Sequence, residues 1–269
     1  MKLSCTSWSF PACTLDEAAG IARALGVGAL DVGIDYRAAL DRRALLETPA
    51  EVAHQVRALG LSIPCFYYRF GDSLSQRNIA APKNHQQNLV DFGAVMAFCQ
   101  AAEIPTVFIL PGIVNPGQST AQAIDQAARA LGDFLPLAEK AGVTLTIEAH
   151  VQSCFESPAL VLELLNQVPG LRLTLDYSHF ICLGYRQEEI DPLAPFAAHV
   201  HLRQARPGVL QAKFDQGTIN FPALFSTLRA VGYDGWLALE NVHQAYMNTL
   251  YDDVLTETVR LRDLARAYL

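Results

Sequence analysis

KAGVTLTIEAH, at positions 140–150, decides the fold of this chain of 269 residues. A Lys-Ala-Gly end reads as the close of a helix, with glycine supplying the left-handed cap. Val-Thr-Leu-Thr-Ile follows, a β-branched and aliphatic run that suits a strand buried on both faces. A polar pair, Glu148 and His150, stands directly behind it. The same order recurs in ALGVGALDVGI (24–34), ALGLSIPCFYY (58–68), AAEIPTVFILPG (101–112), VPGLRLTLDYSH (168–179), PFAAHVHLRQ (195–204) and VGYDGWLALEN (231–241). With the opening run KLSCTSW (2–8), eight strands are predicted. Amphipathic stretches such as LDEAAGIARAL (15–25) and FPALFSTLRAVG (221–232) read as the helices between them. Strands that alternate with helices imply parallel βαβ units. No Ser/Gly/Pro-rich linker breaks the pattern, so residues 1–269 are expected to form one domain. Eight units favour a closed (β/α)8 TIM barrel over an open doubly wound sheet. Ser7-Trp8-Ser9-Phe10 stands where such a sheet would carry a glycine-rich phosphate fingerprint.

Composition narrows the function. A hydrophobic fraction of 51% with 17% charged residues is core-forming material, not that of a disordered chain. The net charge of -7 argues against a nucleic-acid footprint, which needs clustered Lys and Arg. No apolar run approaches the roughly 20 residues that span a bilayer, and the N-terminus lacks the apolar core of a signal peptide. Six scattered cysteines without a CxxC fit buried reduced thiols. The expectation is a cytoplasmic protein with neither a nucleic-acid nor a membrane partner.

The last four predicted strands end in Glu148, Asp176, His201 and Glu240, each about one βα unit from the next. In a (β/α)8 barrel such residues converge on one mouth, the C-terminal face where active sites lie. Three carboxylates and an imidazole gathered at the end of apolar strands require a cation. Three oxygen donors and one nitrogen suit a divalent ion, Mn²⁺, Mg²⁺ or Co²⁺, with Zn²⁺ admissible.

TIEAH, LDYSH, HVHLR with the later DQGTINF, and GYDGWLALEN together resemble the xylose isomerase-like TIM-barrel family of sugar and sugar-phosphate isomerases and epimerases. The resemblance runs over essentially the whole chain. It implies that Glu148, Asp176, His201 and Glu240 are the metal ligands, and that Glu148 and Glu240 are also the catalytic acid and base on opposite faces of the reacting carbon. It implies chemistry next to a carbonyl, with the metal stabilising an enediolate as charge develops on oxygen. The D-x-x-H of Asp176 to His179 implies that His179 contacts substrate oxygens. An arginine shortly after the strand 7 His joins it, with Arg206 the nearer match and Arg203 the lesser one. One departure stands out: ketose 3-epimerases of the family place a second Glu six residues after the strand 5 ligand, where this chain has Cys154.

The loop RQARPGVLQAK (203–213) carries Arg203, Arg206 and Lys213 without an acid. Beside a metal it is expected to hold an anionic substrate group, or else to pair with acids of a neighbouring helix or subunit. Trp8 and Phe66 are expected to floor the pocket, and Tyr246 to close it or to reach a partner. The substrate class implied is a small sugar, keto-sugar or sugar acid. A lyase that decarboxylates a 3-oxo sugar acid, or a dehydratase, is the alternative on the same scaffold, and a non-catalytic sugar-binding barrel the third. Assembly stays open, with a homodimer or homotetramer as the options.

Overall fold

A computed structural model describes residues 1–249 and 253–269. Eight strands, β1 (Lys2–Thr6), β2 (Leu30–Gly33), β3 (Cys65–Tyr67), β4 (Thr106–Ile109), β5 (Thr144–Ile147), β6 (Arg172–Asp176), β7 (Ala197–Leu202) and β8 (Trp236–Leu239), close into a barrel in sequence order. Every pairing is parallel, and β1 closes the ring on β8 through the register Lys2 to Trp236, Leu3 to Leu237, Ser4 to Ala238 and Cys5 to Leu239. All eight strands lie where the sequence pattern put them, and helices connect them.

Local chemistry sets the helix ends. Thr14 and Glu17 form a reciprocal capping box at the start of the helix Leu15–Ala24, and Ser119 and Gln122 do the same for Thr120–Ala141. Gly142, with φ of 68°, ends that second helix in the left-handed region, as the Lys-Ala-Gly sequence suggested. The chain turns there directly into β5.

The barrel has an interior and an outer layer between strands and helices, and side-chain alternation along each strand sorts residues between them. On β3 the neighbours of Phe66, Cys65 and Tyr67, group with Trp8, Phe108 and Val242. Phe66 points the other way, edge-on to Phe98 at 5.0 Å and near Tyr68 at 6.0 Å. The expectation that Phe66 floors the pocket is therefore corrected: it is a fully buried member of the outer layer. Three residues of strand are too few to show their facing by periodicity.

All six cysteines are free, four of them buried. Among the described residues no helix is long and apolar enough to cross a membrane.

Candidate active site

Glu148 follows β5, Asp176 ends β6, His201 lies within β7 and Glu240 follows β8. One ligand atom from each lies within 4.8 Å of the others, and all four side chains are more than nine-tenths buried. His201 Nδ1 is 2.6 Å from Glu148 Oε1 and 3.3 Å from Glu240 Oε2. Trp8 Nε1–H donates to Glu240 Oε1 at 2.7 Å, which fixes that carboxylate and leaves Oε2 turned to the centre without a hydrogen-bond partner among the described residues. Asp176 Oδ1 accepts the backbone N–H of Ser178 at 2.8 Å.

Arg203 brings a buried guanidinium into the site. Its guanidinium donates to Asp176 Oδ2 and Ser178 Oγ, both at 2.8 Å, and lies 3.5 Å from Glu240 Oε2. Arg206 and Lys213, by contrast, are exposed and do not line the pocket. The preference for Arg206 over Arg203 is thus reversed by placement. Gln204 and Gln211 of the same loop are spent on its backbone frame, Gln204 on Ile219 and Gln211 on Val242. A strand-end position two residues past His201 keeps Arg203 on the inner face of β7, whereas the turn at 206–209 carries Arg206 outward.

His179 sits fully buried beside the carboxylates, with Nε2 3.6 Å from Asp176 Oδ2 and 3.8 Å from Glu148 Oε2. Its Nδ1 accepts the Val151 N–H at 3.1 Å. Burial, then the neighbouring His150, Arg203 and His201, hold its imidazole well below the usual histidine range. It is therefore neutral, and its Nε2 lies 2.8 Å from an Arg203 guanidinium nitrogen, a group that can only donate. For His201 burial pulls the other way, but Glu240 and Glu148 outweigh it and raise the imidazole well above its usual value. Burial likewise disfavours the charge on Glu240, yet His201 and Arg203 hold its carboxyl well below the ordinary range. Burial raises Asp176, with Arg203 opposing and Glu240 and Glu148 adding to the shift.

Above these groups opens a pocket of about 660 Å³. Trp8, Tyr67 and Phe108 form an aromatic wall, with Tyr67 and Phe108 stacked at 4.6 Å. Arg69, ion-paired to Asp35, and Tyr36 stand on the rim. His150 and Tyr246 line the other side, their rings 5.5 Å apart. His150, Tyr67 and Arg69 were not among the sequence-derived site residues. His150 could have been found, because it stands two positions after Glu148 and so continues the same inward face. Cys154, at the departure from the epimerase pattern, is buried with Sγ 3.7 Å from the Pro111 carbonyl.

Donor chemistry fits a divalent cation. Three buried carboxylates meet only two cationic groups, Arg203 beside Asp176 and Glu240 and His201 beside Glu148 and Glu240, and Glu240 Oε2 has no hydrogen-bond partner among the described residues. Unbalanced charge of this kind is costly in a dry interior.

The family profile described as xylose isomerase-like TIM barrel matches residues 19–255. The 2-oxo-tetronate isomerase of Pectobacterium atrosepticum is 26% identical over 173 residues, 60% of this chain and 63% of that relative's length. The solved structure of an L-ribulose 3-epimerase superposes with a TM-score of 0.80 at 18% identity, covering 100% of this chain and 95% of the other. The IOLI protein, solved with a bound zinc atom, gives 0.76 at 17% identity, covering 100% and 99%. At these identities the two structures speak to the fold.

Proposed function

Because the chain belongs to the xylose isomerase-like TIM-barrel family, we propose that it is a divalent-metal-dependent isomerase or epimerase acting next to the carbonyl of a small sugar, keto-sugar or sugar acid. The observation that carries this is the buried four-donor cluster of Glu148, Asp176, His201 and Glu240 beneath an open pocket. These four residues would hold the ion, Mn²⁺, Mg²⁺ or Co²⁺ with Zn²⁺ admissible, and bound there it supplies Lewis acidity toward a carbonyl oxygen.

The chain's own groups account for the proton transfers. Glu148 and Glu240 enter from β5 and β8, so they flank the centre from separate sides of the ring. Two carboxylates in unlike surroundings suit one to take a proton from carbon and the other to return one. Trp8 orients Glu240 for this. His179, neutral and held by Arg203 beside the carboxylates, contacts a substrate oxygen. Arg203 balances Asp176 and Glu240 and stabilises negative charge that develops on the substrate. The aromatic wall packs against sugar C–H groups. The exposed Arg206 and Lys213 lie outside this pocket, which leaves Arg69, at the rim, as its second guanidinium.

The test is incubation of the metal-supplemented protein with ketoses, keto-sugars and 3-oxo sugar acids in D₂O, read by NMR. Stereospecific C–H exchange without CO₂ release, lost in Glu148→Gln, is expected. Release of CO₂ would replace the isomerase with the lyase. Absence of exchange, product and metal-dependent ligand binding across the panel would contradict both.

A further inference from the structure

Below His201, two residues earlier on β7, the barrel interior holds a polar cluster that the chemistry above does not use. Asp31 on β2 and His199 on β7 meet across the interior, with His199 Nε2 2.6 Å from Asp31 Oδ2. Their exposures are 0% and 1%. One polar atom from each of Asp31, His199 and His201 lies within 4.8 Å of the other two. Asp31 Oδ1, His199 Nδ1 and His201 Nε2 are buried and have no hydrogen-bond partner among the described residues. Native interiors pair nearly all of their buried polar atoms, so the orphans at Asp31 Oδ1 and His201 Nε2, an acceptor and a ring nitrogen, call for one cause.

His201 supplies it. Its Nδ1 edge is committed to the mouth, where it faces Glu148 and Glu240. In the metal-free site Nδ1 shares a proton with these carboxylates. An imidazole that gives Nδ1 to a metal keeps its proton on Nε2, and in either state that Nε2–H needs an acceptor on the side of the ring away from the mouth. Asp31 Oδ1 is a buried acceptor of the right kind on that side. Asp31 is itself anchored, since His199 occupies its other oxygen. We infer that Asp31 is a positioning residue for His201: its buried carboxylate is the acceptor that Nε2–H faces in the barrel interior, and so keeps the Nδ1 edge turned to the centre that Glu148, Asp176 and Glu240 surround. The inference rests on the proposed role of His201 as a metal ligand. Metal-ligating histidines characteristically donate their second ring N–H to a carboxylate or carbonyl, which fixes tautomer and ring orientation. A purely structural pair in this layer would be replaceable by apolar side chains with less desolvation.

Asp31→Asn tests it. The Asn oxygen still accepts from His199, so its amide NH₂ turns a donor toward His201 Nε2–H. Calorimetric titration with Mn²⁺ alone is expected to show affinity about 10- to 100-fold weaker than wild type. In metal-free protein, ¹⁵N-edited spectra are expected to show a solvent-protected His201 Nε2–H that shifts or disappears in Asp31→Asn. Unchanged Mn²⁺ affinity together with an unchanged Nε2–H signal overturns the inference. If Asp31→Asn does not fold, the wild-type spectrum decides: a His201 Nε2–H that exchanges as fast as an exposed imidazole also overturns it. Wild-type protein that binds no Mn²⁺ would defeat the metal reading instead, while the proton signal still decides the role of Asp31.

Discussion

The two halves of the barrel mouth are built from different material. Strands β5 to β8 end in charged groups, Glu148, Asp176, His201 and Glu240, with Arg203 among them. The turn after β1 contributes Trp8, and β3 and β4 contribute Tyr67 and Phe108, an aromatic wall that reaches the centre through the hydrogen bond from Trp8 to Glu240. The charged half concentrates the chemistry, and the aromatic half supplies shape and water exclusion. Removing a group should accordingly alter turnover on one side and packing on the other.

The largest effect is expected on the charged side. Glu148→Gln and Glu240→Gln each keep the shape of the site and remove a proton-transfer group, so kcat should fall by about 10²- to 10⁴-fold with the circular dichroism spectrum unchanged. A loss of less than tenfold in both would dissolve the division between the halves. Behind the aromatic half, in the outer layer, Phe66→Ala empties a fully buried site against Phe98 and should cost about 3–5 kcal/mol of stability in denaturant titration. The folded fraction should keep wild-type KM, because Phe66 faces away from the pocket.

A pH series sharpens the comparison further. His201 has a raised pKa in the metal-free protein, so protonation of the site stabilises the fold below the unfolded histidine value of about 6.5 and that contribution fades as pH rises through the folded value. Metal needs the unprotonated ligand. Apparent Mn²⁺ affinity should therefore strengthen with pH by up to about tenfold per unit for each proton displaced, as calorimetry in two buffers of different ionisation heat would read. Flat affinity between pH 5.5 and pH 8, chosen as roughly one unit either side of the ordinary histidine range, would remove His201 from the ligand set. The smallest effects belong to Arg206→Ala and Lys213→Ala. Both residues are exposed, and stability should stay within about 0.5 kcal/mol of wild type, with KM changed less than twofold. A tenfold rise in KM for an anionic substrate would return these residues to the site.

The contrast between the halves also marks what the sequence could convey. Glu148, Asp176, His201 and Glu240 were legible because an isolated charged residue directly behind an apolar strand is conspicuous, and one per consecutive βα unit defines a ring position. The eight strands were legible for the same reason, since each is a short apolar run behind a helix end. Phe66 and Tyr67 were not separable, because adjacent aromatics on a three-residue strand differ only in which face they take. Arg203 and Arg206 were ranked in the wrong order of placement because a turn, which periodicity does not describe, carries the second outward. Asp31 was hidden by its surroundings: it interrupts the apolar run of β2, and its partner His199 lies far along the chain and meets it only through the barrel interior.

The central claim is that four strand-end side chains hold one divalent ion. Mn²⁺ titration of metal-stripped protein, followed by calorimetry and thermal unfolding, measures it most directly. One ion per chain and a rise in unfolding temperature are predicted, the stabilisation reaching about 2.7 kcal/mol at a hundredfold excess over Kd, with both signals abolished in Asp176→Asn and His201→Asn. Absence of binding in the wild type, or binding that survives both substitutions, would contradict it.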